Sequence, residues 1–84
     1  MAAGLWLLPW GCAGKPESHK IMPIDQVPKS VMETARKALP GYTFDTAYSM
    51  KVDGKDAYEV RGKNKQGKVR EVEVTASGEV LGIE

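Results

Sequence analysis

The sequence predicts an α+β fold in which one amphipathic helix packs on a four-stranded antiparallel β-meander. Three observations indicate this fold: a helical apolar period in residues 26–39, a period of two after Gly41, and three glycine turn signals further along the chain. A chain of 84 residues suits one small domain with little room for a cofactor pocket. Its 12 basic and 11 acidic side chains nearly balance, which argues against a general nucleic-acid binder.

The helix is predicted to run from about residue 26 to residue 39. Asp25 offers a side-chain acceptor at its start, and Pro28 fits the first turn because a missing amide proton costs nothing there. Apolar and small residues then recur at steps of three and four, which gives the helix one face to bury. The pair Pro40-Gly41 ends the helix, because proline disfavours helical backbone before it and glycine permits the turn away.

Four strands are predicted at about residues 42–52, 57–63, 68–75 and 79–84. Most even-numbered positions of the first strand are apolar and most positions between them are polar, so one face of the sheet is expected to pack against the helix. The large side chains at the alternating positions are interpreted as core rather than as the lining of a ligand pocket: Tyr42, Phe44, Tyr48, Met50 and Tyr58.

Strand parity sets the lengths of the first two turns, since a slip of one residue moves every side chain to the other face. If Val60 and Val72 share a face, residues 65–67 form a three-residue loop in which Gly67 is left-handed. The same logic rejects a two-residue Asp53-Gly54 turn, because Tyr58 would then oppose Ser49, and requires three or five residues instead.

The last turn has two alternative readings. A three-residue loop over residues 76–78 puts Val80 inward and Leu81 and Ile83 outward, whereas a two-residue Ser77-Gly78 turn reverses them. The burial of two large apolar side chains rather than one favours the second alternative.

Residues 1–14 carry no charged side chain, in contrast to the residues that follow. The apolar run from Leu5 to Trp10 is too short to span a bilayer but suits a secretory signal. The run that ends in Gly11-Cys12 resembles a bacterial lipobox, in which a small residue precedes an acylated cysteine. We therefore expect a signal or lipoprotein-like segment with Cys12 lipidated; the alternative is a disordered apolar N-terminus with an incidental cysteine.

Three regions follow from this change in composition: residues 1–14 as the exported leader, residues 15–24 as a tether or short N-terminal strand, and residues 25–84 as the folded domain. The two prolines of the middle region, Pro16 and Pro23, are typical of a tether or of a short N-terminal strand. We expect the protein in the bacterial periplasm or outer-membrane envelope, in contact with the membrane only through a lipid on Cys12. The sequence leaves the oligomeric state open.

The folded region resembles the PepSY domain family. The resemblance covers roughly residues 20–84 and lies in turn glycines and core positions: Asp53, Gly54, Tyr58 and Val60, then Gly67, Lys68, Glu71 and Val72, then Gly78, Val80 and Leu81. It implies a helix followed by a meander. It also implies a small secreted or lipid-anchored protein that binds a peptidase outside the cytoplasm and inhibits or modulates it.

The function expected from this resemblance is that of a non-catalytic, cofactor-free binding module that occludes a secreted or envelope peptidase. Its partner-binding face is expected to be the sheet face without the helix, which should display charged side chains: Lys51, Glu59, Arg61, Glu71 and Glu73. The alternative is a structural or scaffolding envelope lipoprotein that binds another envelope component and affects no peptidase. Exposure of Leu81 and Ile83 beside the charged face would mark a partner surface.

No motif predicts an enzyme, a metal site or a cofactor site. His19, the one histidine, is interpreted as a solvated residue of the tether, because a metal or a nucleophile would need partners that the sequence does not place near it. A small catalyst would require a structure that brings His19 together with two carboxylates.

Overall fold

The computed structural model describes residues 19–84, in which one helix packs on a five-stranded antiparallel sheet. The strands are β1 (Lys20–Met22), β2 (Thr43–Val52), β3 (Lys55–Lys63), β4 (Val69–Thr75) and β5 (Val80–Ile83), and their order in the sheet is their order in the chain. The predicted α+β class is confirmed. The strand count is five rather than four, because residues 20–22 pair with β2 as an additional strand.

The predicted leader, residues 1–14, lies outside the described residues, and so does the predicted lipidation site at Cys12. Both stay predictions. Among residues 19–84, no helix is long and apolar enough to cross a bilayer.

The helix α1 (Lys29–Ala38) begins three residues later than predicted. Proline disfavours helical backbone in the residue before it, and Val27 accordingly has an extended ψ of 135° ahead of Pro28. Residues Ile24–Gln26 form a separate short 3₁₀ helix, so Asp25 does not cap α1; Pro28 occupies that position without a side-chain hydrogen bond. The helix ends at Ala38, one residue before the predicted end, and Gly41 just beyond it is left-handed with φ 82°.

The core lies between α1 and one face of the sheet. Its buried members come from the segment before the helix, the helix and the three central strands: Val27, Val31, Ala35, Leu39, Ala47, Val60, Val72 and Val74. Tyr42, Phe44 and Tyr58 pack against this cluster, as predicted. Two hydroxyls tie the helix to the last turn, since Ser30 donates to the carbonyl of Ala76 and Thr34 to that of Gly78 at 2.9 Å.

A β-bulge in β2 overturns the predicted parity of that strand. The register with β3 shifts between Phe44 and Thr46, so Asp45 is an extra residue and the facing of the side chains reverses after it. Ala47 therefore enters the core, whereas Tyr48 and Met50 turn to the other face, where Met50 is still buried, as predicted, with 3% of its surface exposed. Gly62 makes the bulge possible, because a Cβ there would overlap the backbone of Thr43 and Phe44.

The bulge also makes the prediction for Asp53-Gly54 wrong. Val52 pairs with Lys55, so Asp53-Gly54 is a two-residue turn, and both turn residues have positive φ, 52° and 77°. This is the geometry expected of the hairpin turn that Asp-Gly favours. Tyr58 does oppose Ser49, as the rejected turn required. Both residues face the helix, because the reversal at Asp45 places Ser49 on the helix side and Tyr48 on the opposite face.

The β3–β4 hairpin confirms the predicted three-residue loop. Val60 pairs with Val72, the Asn64 amide donates to the carbonyl of Lys68, and Gly67 has φ 82°. The Asn64 side chain adds two bonds that the sequence analysis did not anticipate, since its Oδ1 accepts the amides of Gln66 and Lys68.

The last turn is also a three-residue loop, closed by a hydrogen bond from the Thr75 amide to the carbonyl of Glu79. The two-residue Ser77-Gly78 turn of the favoured alternative is therefore wrong, although its inward placement of Ile83 is confirmed. Val80 pairs with Val74, and a register shift then brings Ile83 opposite Val72, so both lie on the helix side of the sheet. All three apolar residues of this edge strand stay partly exposed, at 42% for Val80, 44% for Leu81 and 40% for Ile83.

Candidate functional site

The sheet face opposite the helix, called the open face below, carries four of the five residues predicted to bind a partner. The register sets Glu59 against Glu73 and Arg61 against Glu71, and all four side chains point to the same side. Lys51 does not join them. It follows Met50 on the reversed part of β2, lies on the helix side, and forms an ion pair of 2.7 Å with Asp56.

Glu59 is the buried centre of this face, with 7% of its surface exposed. One carboxyl oxygen lies 3.1 Å from Nε2 of His19, and the carboxyl group also shares a hydrogen bond with Glu71. Burial, the bond to Glu71 and the nearby negative charges of Glu71 and Glu73 together raise the pKa of Glu59 to about 8. Glu59 therefore holds a proton at neutral pH and can donate it to the Glu71 carboxylate.

Glu71 stays ionised beside it, because it receives hydrogen bonds from two sides. The bond from Glu59 lowers the pKa of Glu71 most, and the Arg61 guanidinium lowers it further. The guanidinium donates to one oxygen of Glu71 through Nε at 3.0 Å and Nη2 at 2.7 Å. The two carboxyl groups thus share one proton, while the arginine balances the remaining charge.

Glu73 completes the set of carboxyl groups on the open face. Burial raises its pKa first, and the negative charges of Glu84 and Glu71 raise it further. Its neighbour across the sheet on β5 is Gly82, which has no side chain to cover it. The edge of the open face beside Glu73 is therefore accessible from the β5 side.

An aromatic ring connects the N-terminal end of the described chain to this site. His19 stacks on Tyr48 with ring centroids 4.4 Å apart, and the Arg61 guanidinium lies 5.8 Å from the centre of the same ring. We call the six residues that meet here the polar cluster: His19, Tyr48, Glu59, Arg61, Glu71 and Glu73.

His19 and Tyr48 were not predicted to belong to the site. His19 was interpreted as solvated and Tyr48 as core, but β1 and the bulge at Asp45 bring both rings to the open face. A signal for His19 was available, since in a strand containing Ile21 it occupies the same face two positions earlier. No comparable sequence pattern in the polar residues around Asp45 indicated the bulge.

The convergence of His19 with two carboxyl groups meets the condition set above for a small catalyst. A protonated Glu59 and an ionised Glu71 could act as acid and base. Two depressions on the described surface, however, are lined by other residues, among them Val52, Ala57 and Leu81 at one end of the sheet and Ile24, Met32 and Phe44 beside the helix. A third depression includes Arg61 but none of the carboxyl groups of the polar cluster. Within residues 19–84, no group of three side chains is arranged to hold a metal ion.

Comparisons of the chain with protein-family models, with curated proteins and with solved structures find no significant match. The resemblance to PepSY domains stays a prediction based on the motif residues given above.

Proposed function

We propose that this domain is a non-catalytic binding module that receives a protein partner on its open face. The observation that supports the proposal is the polar cluster around buried Glu59, which the helix leaves uncovered. Placing three carboxyl groups together under partial burial opposes folding, and apolar residues at these positions would not carry that cost. Recognition of a partner would explain why the domain keeps a polar cluster that lowers its own stability.

The partner that the PepSY resemblance implies is a secreted or envelope peptidase, which the module would inhibit or modulate by steric occlusion. Arg61 is suited to such contact, because Glu71 holds its guanidinium in place while part of the side chain stays exposed. Tyr48 offers an aromatic surface in the same place. Arginine and tyrosine are enriched among the residues that dominate protein interfaces.

Photocrosslinking of the full chain in its native envelope tests this proposal. A benzophenone amino acid replaces Glu73 in the probe variant and Glu33, on the exposed side of α1, in the control variant. We expect a peptidase to crosslink to position 73 and not to position 33, and purified chain to reduce its activity. A crosslinked partner with no peptidase activity would instead support the alternative, an envelope scaffold.

An acid-base catalyst is a second candidate function, favoured by the contact of His19 with Glu59 and by the proton shared between Glu59 and Glu71. Purified chain would be assayed on panels of peptide, ester and glycoside substrates beside Glu59→Gln. Turnover that is lost in Glu59→Gln would favour catalysis over binding. Equal background rates for both proteins would leave the binding proposal in place.

A further inference from the structure

The outer side of β5 offers backbone groups for an added strand. Among residues 19–84, β5 pairs only with β4 and so forms one edge of the sheet. Glu71 and Glu84 exchange both of their backbone hydrogen bonds at 2.8 Å, so the amide and carbonyl of Glu84 point toward β4. In an antiparallel pair the direction alternates with each residue, which turns the amide and carbonyl of Ile83 outward.

Although β5 has only four residues and its register with β4 shifts between Glu73 and Val74, the strand itself carries no charged residue and no proline. Protected edges carry inward-pointing charges, lysines or proline. Strand β5 instead presents Val80, Leu81 and Ile83, each exposed over at least 40% of its surface. An edge with free backbone groups and exposed apolar side chains is suited to receive an extended segment of another chain.

A depression beside β5 indicates which side chain the added segment carries. It is lined by three apolar residues, Val52, Ala57 and Leu81, and by carboxylates from two turns, Asp53 and Glu79. Asp56 and Lys55 also line it, and Asp56 is already paired with Lys51. A depression lined by both apolar side chains and carboxylates suits a long basic side chain, whose methylene groups need burial and whose charged end needs a carboxylate.

Charge also selects among the possible occupants of the edge. Strand β5 is flanked by Glu79 and Glu84, so antiparallel pairing of two copies of β5 would bring like charges together. The other edge strand, β1, carries Lys20 and would repel a basic segment. A basic extended peptide is therefore complementary in charge to the β5 edge, whereas a second copy of β5 is not.

We propose that β5 accepts an extended peptide as a sixth strand of the sheet, with a lysine or arginine of that peptide lying over Leu81 and reaching the carboxylates of Asp53 and Glu79. This inference rests on the proposed function, since it names the chemistry of the segment by which a protein partner is bound. The backbone hydrogen bonds provide affinity, and the depression provides specificity for a basic side chain of the peptide.

Titration of the isotopically labelled full chain with acetyl-Thr-Val-Thr-Lys-Thr-Val-Thr-amide tests the inference by amide NMR. Matched peptides carry norleucine or glutamate in place of the lysine. We expect shifts at residues 80–84 and around Asp53, and roughly tenfold tighter binding of the lysine peptide than of the glutamate peptide. Equal affinities, shifts confined to the helix, or no binding at millimolar peptide would overturn the inference.

Variants separate the two parts of the proposed contact. Asp53→Asn with Glu79→Gln should abolish the preference for lysine over norleucine, since asparagine tolerates the left-handed φ of 52° at position 53. Glu33→Gln is the control and should bind as the original chain does. Ile83→Pro should weaken all three peptides by removing the outward amide. Leu81→Lys keeps the backbone and should repel the lysine peptide; unchanged binding by either variant would contradict the added strand.

The same variants distinguish this inference from the proposed function. If a partner still crosslinks to position 73 in Ile83→Pro and in Leu81→Lys, the open face binds a protein without the added strand, and only the inference fails. If the lysine peptide binds β5 while no partner crosslinks to position 73, the β5 edge is a peptide site and the open-face proposal fails.

Discussion

The two faces of the sheet are held in different ways, although they share the same strands. On the helix side, Val60 meets Val72 and both are fully buried among apolar side chains. One residue earlier on β3, Glu59 is almost as buried, but its neighbours are His19, Glu71 and Glu73. The helix side is stabilised by packing, which does not depend on pH, whereas the raised pKa of Glu59 makes the stability of the open face fall as the pH rises.

This difference suggests that the two faces of the sheet have different roles, the helix side in folding and the open face in function. The helix packs on the valines of β3 and β4, whereas the open face holds the polar cluster beside two buried apolar residues, Met50 and Ala57. Stability should therefore respond to substitutions on the two faces in different ways. Four substitutions test this, from the largest expected effect to the smallest.

Gly62→Ala should have the largest effect, because its Cβ would lie 2.9 Å from Cα of Phe44 and would meet the backbone of Thr43. Neither can move without disturbing the bulge on which the parity of β2 depends. We expect a loss of about 3 kcal/mol or more in the free energy of unfolding, measured by urea denaturation. Gly82→Ala on the open face, where the added Cβ meets nothing within 4 Å, is the control and should be nearly neutral.

Glu59→Gln should change the pH dependence of stability. The pKa of Glu59 rises from its ordinary 4.5 to about 8 on folding, so its favourable contribution is complete below pH 4.5 and is lost as the pH rises toward 8. Glutamine keeps a donor for Glu71 at every pH. We expect the variant to be more stable than the original chain at pH 9 by about 2 kcal/mol, with little difference at pH 5.

Denaturation at several pH values between 4.5 and 9 measures this effect, with Glu33→Gln as the control on the exposed side of the helix. The raised pKa of Glu73 acts in the same direction as that of Glu59, and the lowered pKa of Glu71 matters only below pH 4.5. The same slope in Glu59→Gln and in the original chain would show that the shared proton is not located on Glu59.

Thr34→Val should weaken the attachment of the helix to the last turn. It removes the hydrogen bond from the Thr34 hydroxyl to the carbonyl of Gly78, in a position where valine has nearly the same shape. We expect a loss of about 1 kcal/mol at all pH values. A loss that depends on pH would mean that the two faces are coupled through the 76–78 loop.

His19→Ala should have the smallest effect on global stability, because β1 contains only three residues at the edge of the sheet. The variant loses the stack on Tyr48 and the bond to Glu59. We expect a loss of about 0.5–1 kcal/mol, together with faster amide hydrogen exchange in residues 20–22. Unchanged exchange there would show that pairing with β2 alone holds β1 in place.

The fold was predictable from the sequence where one local rule was sufficient. The helical period of the apolar residues indicated the helix, and the Pro40-Gly41 pair indicated its C-terminal end. Strand parity determined the length of the loop that ends in Gly67. The Asp53-Gly54 turn was missed although its dipeptide signal was strong, because parity was applied to β2 without knowledge of the bulge at Asp45. A bulge depends on the partner strand, here on the absence of a side chain at Gly62, and the sequence of β2 alone does not reveal it.

The candidate site was predictable in part for the same reason. Glu59, Arg61, Glu71 and Glu73 lie beyond the bulge on strands whose alternation is regular, so their common face followed from a period of two. Lys51 was assigned to the wrong side because it lies on the reversed part of β2. A period of two places His19 on the strand face of Ile21, but its contact with Glu59, 40 residues away in the chain, is not encoded by a local pattern.

The order of the strands also bears on how the domain folds. Because each strand pairs with its neighbour in the chain, most of the sheet forms by closing short hairpins, and such topologies fold quickly for their size. The β2–β3–β4 unit contains both tight turns and four buried members of the core, Ala47, Val60, Val72 and Val74. We expect this unit to form the folding nucleus, with β1 and β5 joining last and opening first. The two edges would then be the most adaptable parts of the native structure.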